Sequence, residues 1–237
     1  MQNGIRNAET AGSGQTVSDE GISWRWSQLL TLLAVLGVAG HAFLAAIALL
    51  LPLVSEYTLI GDNISELAIG RYGYLQTAAF LAAGVGALAI AVGVRRTTNG
   101  AWGSRVGFLL AGFFGLGPIL AAIFPTDRID TPADLSSMTT VGTVHVATAL
   151  VSFVGGIAGM FVLTKTFKQD ARWRKFWPAS LALAFAALVV FFVQGEGPWV
   201  GLYQRMLVGT ITLWLVLVAF RLRSVAKAYR PWKEEVQ

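Results

Sequence analysis

Hydrophobic positions in this chain do not alternate with polar ones; they run on. Apolar stretches cover about residues 29–53, 74–94, 106–124, 142–163, 176–193 and 201–220. Each comes close to the ~20 residues that an α-helix needs to cross a hydrocarbon core. A backbone inside lipid must satisfy its own polar groups, so helices are the expected form. The pattern predicts an all-α protein, a polytopic membrane bundle of six transmembrane helices, the fifth being the shortest. The third stretch contains Gly112, Gly115, Gly117 and Pro118, which predict a kink near its outer end.

Outside these runs the character changes. Residues Met1 to about Ile22 are rich in Gly, Ser, Thr, Asn and Gln and have no apolar centre. They read as a tail without fixed structure, and they lack the basic start and apolar region of a signal peptide. Trp24 and Trp26 then suit a membrane interface. The expected divisions are a tail at 1–24, the six-helix domain at 25–222 and a basic tail at 223–237.

Composition agrees with the pattern. The chain has 237 residues, 55% hydrophobic and 13% charged, with a mean hydropathy of +0.62. Soluble domains carry about 25% charged residues. The chain has no cysteine, which excludes disulfides, thiolate metal sites and cysteine catalysis.

The net charge of +5 does not point to nucleic acid, because the basic residues are sorted by loop. The N-terminal tail, the second and fourth loops and the C-terminal tail hold nearly all of them. Of 18 basic residues, only Arg71, Arg128 and Arg205 fall on the other side. The positive-inside bias predicts both termini in the cytoplasm. Glu56, Asp62, Glu66, Asp127, Asp130, Asp134 and Glu196 then belong to outer loops.

Small residues set the expected packing. Gly103 and Gly107, and again Gly155 and Gly159, are one helical turn apart, while Gly84, Gly86 and Gly93 thin another helix. Such spacing lets helix backbones approach closely and carries no chemical message.

The polar residues near the outer face are the candidates for chemistry. In Asp62-Asn63-Ile64-Ser65-Glu66, a helix would align Asp62, Ser65 and Glu66 on one face. This predicts a short amphipathic helix lying on the membrane surface. The bland alternative is a capping box, Asn63 with Glu66 three residues later. Asp127 and Arg128 follow the stop at Pro125 and could form a solvated ion pair. His145 lies about one turn inside the fourth span and could move a proton or hold a hydrogen bond. His41 lies near the middle of the first span, where an interhelical hydrogen bond is expected. Gln204 and Arg205 begin the last span. An arginine at that depth is costly unless it snorkels or pairs, and Asp62, Glu66 and Asp127 are the expected partners.

The stretches DNISELAIGRYGYLQTAAF, IFPTD, GTVHVATAL and LYQRM, in this order relative to the spans, resemble the domain of unknown function 998 family, six-span membrane proteins of prokaryotes. The resemblance covers about residues 29–222. It implies a multi-pass protein of a prokaryotic plasma membrane. It marks Asp62, Ser65, Glu66, Asp127, His145, Gln204 and Arg205 as motif positions and assigns them no role.

Three functions compete. The first is binding of a membrane lipid headgroup or another small-molecule ligand by those seven residues at the extracytoplasmic face, with Arg205 and Arg128 meeting an anionic headgroup and His145 and Gln204 as hydrogen-bond partners. The second is a membrane-embedded hydrolase of the outer leaflet, with Glu66 or Asp127 as general base and His145 as acid or base. The third is a transporter with His41 as its deep polar residue. No metal or cofactor motif is present in the sequence, no nucleic-acid partner is expected, and the oligomeric state is open.

Overall fold

The computed structural model describes residues 12–98, 102–128, 136–193 and 197–228, with side chains from Trp24 onward. Six α-helices account for most of it: α1 (Gly12–Leu50), α2 (Gly73–Thr97), α3 (Trp102–Ile123), α4 (Thr140–Gln169), α5 (Trp177–Val193) and α6 (Val200–Lys227). No strand occurs among the described residues. Five helices are long and apolar enough to cross a membrane. The sixth, α5, has 17 residues, about 25 Å of helix, and is the shortest, as the sequence pattern expects. The chain is a polytopic helical membrane bundle.

One difference from the sequence reading concerns the N-terminal end. Residues 1–11 of the expected tail lie outside the described residues, but the backbone is helical from Gly12 onward. α1 thus extends upstream of Trp24, the start of the apolar run. Residues 229–237 of the basic tail also lie outside, as do Asp130, Asp134 and Glu196. Pro118, where the kink is expected, lies inside α3, and the helix runs on through it to Ile123.

The helices pack antiparallel through glycine. A Cβ on Gly40 would overlap the Ala82 carbonyl, and Gly86 meets Gly37, so α1 and α2 touch backbone to backbone. Gly84 and Gly115 bring α2 against α3 in the same way. Gly107 receives Leu163, and Gly159 receives the Leu110–Ala111 backbone, which closes α3 on α4. Both small-residue pairs read from the sequence therefore lie in one interface. Without water to drive association inside a membrane, such close contact is the main source of helix–helix attraction.

α5 joins through polar atoms. Ser180 and Thr164 share a hydrogen bond at 2.5 Å, and Trp214 Nε1 donates to Ser180 Oγ at 2.8 Å. These ties bind α5 to α4 and α6 where α5 offers few large buried side chains. Finally, α6 returns beside α1. Ser27 Oγ donates to the Ala226 carbonyl at 3.0 Å, while Arg205 Nε reaches the Ala48 carbonyl at 3.3 Å at the far end.

The bundle thus has two distinct ends. One carries the start of α1, the end of α6 and the basic residues Arg95, Arg96, Lys165, Lys168 and Arg221. The other, here called the outer end, carries the described segments 51–72, 124–128, 136–139 and 197–199. All seven candidate residues lie toward it.

Candidate functional site

The segment from Ile60 to Gly70 forms no amphipathic surface helix. It is a compact loop with a single 3-10 turn, Glu66–Ala68. Ile64 and Leu67 are buried, as expected, but so are Ser65 at 8% exposure and Glu66 at 4%. A helix would have turned both outward. The start of α6 prevents it by binding the loop backbone. Leu202 N donates to the Ile60 carbonyl at 3.0 Å. Gln204 Oε1 accepts from Ile64 N at 2.5 Å. Gly201 has no side chain, and a Cβ there would overlap the Asp62 carbonyl.

Arg205 completes this strap. Its Nη1 donates to the Asp62 carbonyl at 2.6 Å and to the Gly201 carbonyl at 3.1 Å, and its Nε reaches the Ala48 carbonyl. The expected ion pair with a side chain of Asp62, Glu66 or Asp127 is not formed. The carboxylates of Asp62 and Glu66 act on Arg205 only through their field. Main-chain carbonyls are the nearer acceptors, and a planar guanidinium can meet several of them at once. One guanidinium nitrogen, Nη2, is buried without a hydrogen-bond partner among the described residues.

The three acidic positions have local tasks. Asp62 Oδ2 accepts from Thr58 N at 2.7 Å and from Thr58 Oγ1 at 2.9 Å. Its other oxygen lies 3.8 Å from Arg128, which also sits over the Tyr57 ring at 5.4 Å. Tyr57 itself is held above the usual phenol range, first by burial and then by Glu56 beside it. Glu66 Oε2 accepts from Asn63 N at 2.8 Å, the carboxylate half of the capping box. Asp127 does not pair with Arg128. It accepts from Thr139 N at 2.7 Å and Thr139 Oγ1 at 2.9 Å. Thr139 in turn caps α4 by accepting from Gly142 N at 3.1 Å. Asp127 therefore places a negative charge at a helix N-terminus, where the dipole favours it.

The other three candidates converge. Ser65, His145 and Gln204 line a cavity of about 70 Å³ between α1, α2, α3, α4 and α6. His41 and Ser152 line it too, together with apolar residues such as Phe80, Phe114 and Val208. The volume suffices for a few waters or a small polar group. No Asp, Glu, Lys or Arg is among the lining residues.

The histidines present the same chemical face. His145 Nδ1 lies 2.8 Å from the Phe124 carbonyl. His41 Nδ1 lies 2.8 Å from the Gly37 carbonyl of its own helix, not from another helix as expected. A carbonyl only accepts, so each Nδ1 carries the proton. In a neutral ring Nε2 is then an acceptor, and it has no partner among the described residues. The Gln204 amide nitrogen and the hydroxyls of Ser65 and Ser152 also make no bond to a described residue. Acceptors and donors thus surround an otherwise apolar space.

A family model described as protein of unknown function (DUF998) matches residues 23–221. The chain belongs to this family. No curated protein and no solved structure matches it. All seven positions singled out in the sequence, and the whole cavity wall, lie inside the part that the DUF998 model covers. His41 and Ser152 were not recognised as part of the site. Their helical surroundings gave no local sign, since a polar residue inside a span has several structural uses. Among the described residues of this DUF998 protein, no three of His, Cys, Asp and Glu gather as a metal site would require.

Proposed function

We propose that this multi-pass protein binds a lipid headgroup or a small molecule in the cavity at its outer end. The observation that carries the reading is the convergence of His145, Ser65 and Gln204 with His41 on one cavity. Polar groups at such depth are costly unless they are used, and a mostly apolar pocket with a few converging polar atoms is the usual form of a ligand site.

The same reading places the protein in a prokaryotic plasma membrane with both termini in the cytoplasm. The basic residues at the end shared by α1 and α6 support this orientation. The cavity then opens toward the extracytoplasmic half of the bilayer.

The test is lipid retention. Protein purified from membranes is expected to keep about one equivalent of an amphiphile enriched over the bulk lipid, and His145→Leu is expected to lose it. Retained lipid of bulk composition, unchanged by His145→Leu, contradicts the proposal.

A hydrolase is the second reading, favoured by Ser65 and His145 sharing the cavity. Ser65 would be the nucleophile and His145 Nε2 its base. Glu66 and Asp127 are bound to main-chain N–H groups, and the bases that line the cavity are His145 and His41. Covalent labelling of Ser65 by a serine-directed phosphonate, dependent on His145, supports this reading, and no labelling contradicts it.

A further inference from the structure

A second hollow adjoins the cavity. A groove of about 300 Å³ runs between α3 and α4, lined by Phe113, Leu116, Leu120, Ala147 and Val151 among others. Phe113, Leu116 and Val151 are exposed on the outside of the bundle, at 47%, 45% and 55%, where a membrane would place hydrocarbon. Gly117 and Ser152 line both the groove and the cavity. They form the partition between the two. Ser152 Oγ fits where Gly117 lacks a Cβ, so a hydroxyl and a bare backbone stand between the groove and the polar space. Pro118 follows Gly117 directly and removes a backbone N–H from α3 at this level.

The chemistry of the cavity limits what can enter. An anionic headgroup would need a cation, and the lining residues include neither Arg nor Lys. Arg205 spends Nε and Nη1 on main-chain carbonyls and does not line the cavity. Arg128 lies over Tyr57, also away from it. An unpaired charge in an apolar site is strongly disfavoured. Two imidazole nitrogens that accept, beside serine hydroxyls and an amide that donates, fit a neutral group bearing O–H.

We infer that the ligand is a neutral amphiphile with a hydroxyl headgroup, of the long-chain alcohol or monoacylglycerol class, whose headgroup occupies the cavity and whose chain lies in the groove between α3 and α4. The inference rests on the cavity reading above and adds the ligand's chemistry and its route.

The experiment uses the full chain in detergent micelles and a monooleoylglycerol bearing a mid-chain diazirine. Photolabelling is expected to saturate and to map to residues 113–120 and 147–152. Unlabelled monooleoylglycerol is expected to compete at least about tenfold better than methyl oleate, which lacks the hydroxyl donor, or oleoyl lysophosphatidate. His41→Leu and His145→Leu are each expected to weaken binding about tenfold, as loss of one hydrogen bond would. Stronger competition by lysophosphatidate, still dependent on His145, overturns the neutral ligand and leaves the cavity reading standing. Labelling confined to other helices overturns the chain's position. Labelling indifferent to His41, His145 and the headgroup overturns both the inference and the cavity reading.

Discussion

The amide oxygen of Gln204 accepts the main-chain N–H of Ile64 at 2.5 Å, although 140 residues separate them. One side chain of α6 thereby fastens the outer loop and leaves its amide nitrogen beside the cavity. The loop, the strap and the cavity form one structure. Gln204→Leu orphans the Ile64 N–H and is expected to destabilise the protein by about 1–3 kcal/mol. Thermal unfolding in micelles measures this, and faster hydrogen exchange at Ile64 locates it.

Arg205 is expected to matter for stability and not for choice of lipid charge. Its contacts are the carbonyls of Ala48, Asp62 and Gly201. Arg205→Ala is expected to cost at least about 2 kcal/mol, since bonds from a charged donor are the stronger kind. Arg205→Lys is expected to restore only part, because an ammonium lacks the planar fork. Relative binding of anionic and neutral lipids is expected to stay unchanged in any variant that folds. A selective loss of anionic lipid would assign the guanidinium to a ligand.

Asp127 separates capping from catalysis. It holds Thr139, the residue that caps α4, and it does not line the cavity. Asp127→Ala is expected to lower stability by about 1 kcal/mol while ligand binding persists. Loss of binding at full stability would move Asp127 into the site.

Gln76 tests the interior of the bundle. It is fully buried in α2, and neither its amide nitrogen nor its amide oxygen has a hydrogen-bond partner among the described residues. An unsatisfied amide costs about 1–3 kcal/mol. Gln76→Leu, close in volume, is therefore expected to raise the unfolding temperature. A fall would show that the amide is satisfied in the folded protein.

The sequence made the spans legible because lipid demands long apolar runs and tolerates few charges. It also made the α3–α4 interface legible, since glycines four residues apart lie on one helix face. The half of the capping box that joins Glu66 to Asn63 was readable for the same reason: both partners are local. The roles of Asp62, Asp127 and Arg205 were not. Arg205 bonds carbonyls, and every residue has a carbonyl, so no residue type marks the partner. Asp127 finds Thr139, twelve positions further along the chain. The supposed surface helix failed because Ile60, Asp62 and Ile64 spend main-chain groups on α6. His41 and His145 are 104 positions apart, and only the antiparallel return of the helices brings both to one cavity.

The chain contains only two histidines, and both line the cavity, so its imidazole ¹⁵N spectrum reports on the cavity wall directly. With histidine-labelled protein in micelles near neutral pH, both rings are expected as the Nδ1–H tautomer with unprotonated Nε2. Titration with monooleoylglycerol is expected to shift both Nε2 resonances together, with a single dissociation constant. Nε2–H tautomers, or Nε2 resonances that do not respond to any amphiphile, would contradict a ligand site shared by His41 and His145.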